Sequence, residues 1–339
     1  MTRLVLRRGR VVSLEGEEAA AALTVEVDGA LRPAISYGAL TGPVEPGDEV
    51  IVNTAAVDLG LGSGGFDVVH VNLTRGLTAR AEAGAHVMKL NYTSLQHAVR
   101  PLEERAPARE RPLGKPVAVI AVHGQLPCVA WAAAQTCPAA RIGYVQTIGG
   151  ALPGSLSRTV RELCSRGLLA GHVTAGAAFG GEHEAISVAG ALQCGLSGLG
   201  WDGAIVGPGP GIIGSATALG HGGLAALDSA HAALALGALA IMVPRMSSGD
   251  DRPRHRGLSH HTAVVLELLL RPAVVAVPDA GAELPGEGHE QRQGAADLAG
   301  YGQSGLSTRT MGRSIEQDEL FFRAALAGGA VLGGELGGA

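Results

Sequence analysis

Two stretches of this sequence hold the residue types from which a ligand site is built. Val206-Gly-Pro-Gly-Pro-Gly-Ile-Ile-Gly-Ser-Ala-Thr217 is dense in glycine and directly follows a short apolar run, Gly203-Ala-Ile-Val206. Glycines at this density let a backbone turn sharply and come close to a ligand, and amide N–H groups in such a loop suit an anion. Gly207, Gly209, Gly211, Gly214, Ser215 and Thr217 are therefore candidate binding residues. The second stretch is Arg252-Pro-Arg-His-Arg-Gly-Leu-Ser-His-His-Thr262. Ser259 reads as the N-cap of a helix, which puts His260 and His261 in its first turn. The positive end of a helix dipole disfavours protonated histidine, so the spacing predicts a neutral imidazole pair. Arg254 and Arg256, just upstream, add fixed positive charge suited to phosphate or carboxylate. A solvated basic loop is the plain alternative.

Several chemistries lack their signature. Lys89 and Lys115 are the only lysines among 26 basic residues, and no Gly-Lys-Ser/Thr occurs, which excludes a Walker-type phosphate loop. Gly209-Pro-Gly-Ile-Ile-Gly214 satisfies the dinucleotide pattern literally, but Gly220-His-Gly-Gly223 interrupts before the next helix, and no acidic residue closes the next strand. Arg245 at that strand's end could meet a 2′-phosphate, so an NADP-binding enzyme stays open as an alternative. No His-x-x-x-His pair is present, and Glu182-His-Glu184, read as the start of a helix, would splay its side chains. No metal site is therefore expected from spacing; His172, His221, His255, His260 and His261 could join one only through tertiary folding. Gly-x-Ser-x-Gly is absent from a strand-to-helix elbow, so Ser215, Thr217 and Thr147 fit ligand hydrogen bonding better than nucleophilic attack. The four cysteines show no paired spacing and read as reduced.

The elements that must position these residues change texture along the chain. Leu23-Thr-Val-Glu-Val27 alternates apolar and polar, Asp28-Gly29 is a hairpin signal, and Ala30–Ile35, Glu49–Val52 and Val68–Leu73 follow as short strands. Residues 1–99 thus read as a small β-barrel or β-sandwich domain. Residues 100–116, charged and proline-containing, read as a linker. From 117 to 339 the pattern becomes β-α: six apolar runs, near 117–122, 142–145, 169–174, 204–206, 239–243 and 273–277, alternate with segments of helical length. These predict a doubly wound, mostly parallel α/β sheet of about six strands. The helices are expected near 127–134, 153–165, 183–196, 224–236, 260–270 and 316–326. The loops after His123, Gln146, Ala175, Gly207 and Arg245 would then gather at the carboxyl edge of the sheet, where such domains bind ligands.

The chain resembles an uncharacterised bacterial family classed as a domain of unknown function. The resemblance lies in Tyr144–Pro153, Gly207–Gly214, His255–Thr262, Gly47–Asn53 and Gly60–Gly65, and it brings with it no activity or catalytic residue.

With 339 residues, 46% apolar, and a formal charge of −5, a nucleic-acid partner is not expected. The longest apolar run, Ala232–Pro244, is too short for a membrane span. No charged n-region and apolar h-region open the chain, which points to the cytoplasm. The expected function is binding of a small anionic metabolite, phosphorylated or carboxylated, by an enzyme of group transfer or hydrolysis. His123, His260 and His261 are the candidate acid/base residues. A non-catalytic sensor and a metal-dependent enzyme are the alternatives; the cofactor and any homo-oligomer stay open.

Overall fold

The computed structural model describes all residues except 1–2, 17–19, 62–63, 79–82, 106–111, 279–283 and 339. Its chain divides into two compact units, Met1–Arg100 and Pro101–Ala339.

The first unit is built on β1 (Leu6–Glu15), β2 (Ala21–Val27), β3 (Ala30–Ser36), β4 (Glu49–Asn53) and β5 (Asp67–Asn72), with single turns α1 (Gly38–Thr41) and α2 (Ala55–Asp58) between strands. The strands close into a barrel in the order β1-β2-β3-β5-β4, the β3–β5 pair being parallel and β4 returning to β1 antiparallel. This is a barrel of the OB type. Alternation sets the inward face: Leu23, Val25 and Val27 join Val50, Val52 and Val69 in its core. Asp28 and Gly29 both take positive φ, 50° and 79°, as the two-residue β2–β3 turn demands. A hairpin, β6 (Val87–Lys89) with β7 (His97–Val99), completes the unit.

The second unit carries one sheet formed by β8 (Pro116–Ile120), β9 (Ile142–Thr147), β10 (His172–Ala175), β11 (His183–Ala185), β12 (Gly203–Pro208), β13 (Leu239–Val243), then, after the short strands β14 (Met246–Ser247) and β15 (Gly257–Leu258), β16 (Val274–Val277) and β17 (Glu290–Gln293). The order is β11-β10-β9-β12-β8-β13-β16-β17, and every pair is parallel. Alternate residues feed two cores. Ala118, Ile120, Ile205 and Ala276 face α3 (Leu126–Thr136), α4 (Arg158–Ser165) and, near the C-terminus, α8 (Leu298–Gln303) and α9 (Glu319–Gly337). Val117, Val119, Val206 and Val275 face α5 (Val188–Gln193), α6 (Ala225–Ala235) and α7 (His260–Leu268). A two-stranded ribbon, β18 (Arg309–Thr310) and β19 (Arg313–Ser314), precedes α9.

All six expected strands are present, and two more extend the sheet at its edges. β17, Glu-Gln-Arg-Gln, is too polar to read as a sheet strand from sequence. β11 replaces the start of the helix expected from His183. Ser187 caps the helix that does form, accepting from the Gly190 amide at 2.9 Å, while Glu184 is held in the strand by Thr174 Oγ1 at 2.8 Å and the Gly180 amide at 2.6 Å. α4 likewise begins at its cap, Ser157, which accepts from the Val160 amide. α9 runs past the expected end at Leu326 because Gly329 and Gly333 lie against the Val129 and Ala133 backbone of α3, a close approach that favours small residues. Among the described residues α9 alone has the length and apolarity of a membrane span, and Phe321, Phe322, Leu326 and Leu332 on it are buried in the core.

The expected linker overlaps structured residues at its start; its 106–111 portion lies outside the described residues. Leu102 is 4% exposed and belongs to the core beneath α5 and α6, and Glu103 Oε1 accepts from the Ile186 and Ser187 amides at 2.9 and 3.2 Å. A chain starting at Pro101 should therefore fold and melt cooperatively, whereas one starting at Val117 should lose about 2–5 kcal/mol from the missing Leu102 alone. Urea melts of the two fragments check this; equal midpoints would show that 101–116 contributes nothing to the second unit.

Candidate functional site

β13 ends at Val243, and the next sixteen residues, up to α7, fold back as a loop closed by the β14–β15 pair, Met246 opposite Leu258. Its base is locked to the first turn of α7. The Ser259 amide donates to the Arg245 carbonyl at 2.9 Å, and the Arg245 amide donates to Thr262 Oγ1 at 2.9 Å. Ser259 caps α7 as expected, accepting from the His261 amide at 3.3 Å, and also meets His255 Nδ1 at 2.7 Å.

Asp250 organises the charge within this loop. It is 1% exposed and meets Arg252 at 2.8 Å, Arg245 at 3.3 Å and Arg313, from β19, at 3.4 Å. Its bonds to Arg252 hold its carboxyl far below the usual range, against the opposing effect of burial. Asp318, fully buried, binds Arg313 at 2.8 Å and takes the Ser247 hydroxyl and the Ser248 and Gly249 amides. Burial draws the Arg245 guanidinium down to about 10, with Asp250 opposing, so it stays charged at neutral pH.

Beside the arginines four imidazoles meet. His221 and His261 stack with ring centroids 3.7 Å apart and planes 9° apart. His260 lies edge-on to both, at 5.4 and 4.5 Å, and His255 is 4.9 Å from His260 and from His261. Burial lowers all four, His255 to about 4 and His261 to about 2, and the nearby arginines add to it. The neutral pair expected at the helix start is therefore a neutral quartet. His261 Nδ1 lies 3.2 Å from Arg245 Nη1; a guanidinium only donates, so Nδ1 accepts and the ring proton sits on Nε2. His221 has no hydrogen bond at either nitrogen, although the Ala218 backbone offsets part of its shift without reaching hydrogen-bond geometry. Of the seven buried side-chain polar atoms without a partner among the described residues, four belong to His221, His260 and Arg245. Polar atoms left unpaired in this way cost about 1–3 kcal/mol each, and they concentrate here.

A cleft of about 280 Å³ opens over this wall. Ile212, Ile213, Gly214 and Ser215 of the glycine loop face Arg245, Arg254 and His261 across it, with Arg252, His255, Met311 and Arg313 completing the lining. Of the anticipated residues, Gly214, Ser215, Arg245, Arg254 and His261 thus share one cleft, with Thr217 bonded to Ser215 at 2.8 Å and His260 behind in the imidazole cluster. The others fall elsewhere. Gly207 and Gly209 are packing positions: a Cβ there would strike Ile120 and the Ala151 carbonyl at 2.3 Å each. Gly211, at φ 71°, is a turn with open space around it. Thr147 is buried and bonds to the Ile148 carbonyl at 3.0 Å. Arg256 reaches the Asp250 carbonyl at 3.0 Å and does not line the cleft.

Asp250 and Arg313 escaped sequence reasoning, and His221 was open there only as a ligand that tertiary folding could bring to a metal. His221 arrives through an antiparallel bridge to Gly214, supported by the Gly222 amide on the Ile213 carbonyl at 2.7 Å. Glycines on both sides of His221 were the available signal, since they let the turn lie against Gly149, whose carbonyl would stand 1.9 Å from a Cβ on Gly222.

Residues 33–329 match the family described as a protein of unknown function, DUF3866. The chain belongs to this family. The match reaches from the barrel to α9 and agrees with the resemblance seen in the sequence. No curated protein matches the chain. Among solved structures the crystal structure of YjeQ from Thermotoga maritima is matched at 15% identity and a TM-score of 0.15, over 50% of this chain and 51% of that one. The chain thus spans about half of that protein.

In this DUF3866 chain the remaining acid/base candidate, His123, serves a different purpose. Its Nε2 lies 2.8 Å from Ser157 Oγ and its Nδ1 3.2 Å from the Pro208 carbonyl. The carbonyl requires a proton on Nδ1, so Ser157 donates to Nε2 while capping α4. The ring therefore ties three loops together. Burial lowers His123 to about 4, and His172, stacked on Tyr144 at 5.3 Å, to about 3. Above pH 6.5 both are neutral folded and unfolded and contribute nothing. Below it the unfolded chain takes up protons that the native chain refuses, so stability falls as pH drops from about 6.5 towards about 4, by up to roughly 1.4 kcal/mol per unit per ring. Denaturant melts at pH 7.5, 6 and 5 should show a shallower decline for His172→Phe than for the parent; parallel profiles would place the titration elsewhere.

Proposed function

We propose that the cleft binds a small anionic metabolite bearing a phosphate or carboxylate, and that the protein is a cytoplasmic enzyme acting on it by group transfer or hydrolysis. The observation that supports this reading is the charge of the lining: every charged residue in it is an arginine, Arg245, Arg252, Arg254 and Arg313. Asp250 and Asp318 compensate three of them from behind. Arg254 is exposed and has no ion-pair partner among the described residues, which leaves its guanidinium for a ligand. Ile212, Ile213 and Met311 supply an apolar wall for the uncharged part of the molecule.

Within this reading Arg254 is the anion clamp, and Ser215 and the Nε2–H of His261 are neutral donors that orient the ligand. His261, pinned by Arg245, acts as a hydrogen-bond donor and not as a base. His260, less buried and without a partner on Nε2, is the remaining candidate for proton transfer. A metabolite sensor would use the same cleft with no turnover.

Inorganic phosphate should raise the melting temperature, as any ligand preferring the native state does. Arg254→Ala should abolish most of that rise while changing unliganded stability by less than about 0.5 kcal/mol, because the side chain is exposed and unpaired. Differential scanning fluorimetry over a phosphate series measures both. A rise of equal size in the variant would remove the anion from this cleft.

A further inference from the structure

The imidazole cluster invites a second ligand, of a different chemistry from the anion. We infer that His221, His260 and His261 form a binding site for one divalent transition-metal ion of the zinc type. One ring nitrogen of each lies within 4.8 Å of the others. His221 and His261 are 6% and 5% exposed, and both nitrogens of His221, with Nε2 of His260, are buried without a hydrogen-bond partner. Buried imidazoles normally find a donor or acceptor; these are neutral, and lone pairs on neutral imidazole are what borderline metal ions take. Three imidazoles with the fourth position open is a ligand set of catalytic zinc.

The close approach of Gly223 to the rings fits this reading. A Cβ on Gly223 would sit 3.0 Å from His221 Nδ1 and 3.3 Å from His261 Nδ1. Both distances are tighter than an ordinary Cβ contact, so a glycine is what lets the backbone lie this close to the two atoms. Two adjustments accompany loading. The parallel His221 and His261 planes cannot both hold one ion, so His221, whose ring no hydrogen bond fixes, turns about its terminal torsion, which is a broad well. Arg245 withdraws from His261 Nδ1 and keeps Asp250, its partner at 3.3 Å. The ion thus competes with the guanidinium for one lone pair. His255 stays outside the set, since Ser259 already holds its Nδ1.

The test uses the full chain, stripped with a chelator and free of phosphate, so that its outcome is separate from that of the anion cleft. Titration with Zn²⁺ by calorimetry, and with Co²⁺ by visible absorption, should give one equivalent bound and a spectrum of nitrogen-ligated, four-coordinate cobalt. His221→Ala and His260→Ala should each abolish the stoichiometric site, and His183→Ala, in β11, should leave it intact. Gly223→Ala keeps all the imidazoles and presses a methyl group against both Nδ1 atoms; it should weaken binding by at least about tenfold, the scale on which neighbours of a metal site act. If His221→Ala fails to fold, Gly223→Ala decides. No stoichiometric binding by the parent chain, or binding indifferent to both His221→Ala and Gly223→Ala, overturns the proposal.

Discussion

The carboxylate of Asp250 is the interaction on which the second unit's cleft depends. Burying a guanidinium as completely as Arg245, 2% exposed, costs several kcal/mol unless a counter-charge is buried with it. Asp250 supplies that charge and draws Arg252 and Arg313 to the same point. Arg313 comes from far along the chain, and Asp318 anchors it from the other side. One buried anion thus joins the loop after β13 to the ribbon before α9. The positive charge gathered there also adds to burial, the main cause that keeps the imidazoles against this wall neutral. A neutral ring can donate to an anion through one nitrogen and offer a lone pair through the other, which a protonated ring cannot.

The second constraint is backbone against backbone. Gly149 and Gly150 follow β9, and Gly209 and Gly222 flank the loop after β12; a Cβ on any of the four would lie within 2.4 Å of a carbonyl oxygen in the opposite segment. The Ala151 amide donates to the Pro210 carbonyl at 2.7 Å and the Ile213 amide to Gly149 at 3.3 Å. This contact carries His221 to α7. The glycine density that suggested close approach to a ligand largely serves close approach of one loop to another, and the part of the stretch that lines the cleft shrinks to Ile212, Ile213, Gly214 and Ser215.

The difference shows what a sequence can hold. Inward residues of the barrel and the apolar runs of the sheet were legible because period and burial are coupled locally: Leu23, Val25 and Val27 alternate whatever else the chain does. Ser259 was legible as a cap, whereas Ser157 was not, because it lies inside the stretch 153–165 that reads as one helix. β11 and β17 were hidden because edge strands bury little and carry charge. His221 was hidden for a deeper reason. The glycines on both sides of it mark a tight turn, but its place beside His261 follows from contacts such as that of Gly149 with Gly222, far apart in the chain. A search for i, i+4 histidines cannot find ligands that approach from different elements.

Sequence rules and structure part company most clearly at one place, and the failures coincide. The turn Gly220-His-Gly-Gly223 breaks the strand-to-helix crossover that the dinucleotide pattern would need. The same turn inserts a histidine with two unsatisfied nitrogens into a buried wall, where Gly223 lies too close to the rings for an ordinary side chain. Each feature alone reads as a local irregularity with a cost of about 1–3 kcal/mol. They fall at one place, since His221 stacks on His261 and His261 meets Arg245. Among the described residues, four of the seven buried side-chain polar atoms without a partner lie at this wall, where the fixed charge is gathered, and that coincidence is what supports the two proposals made for it.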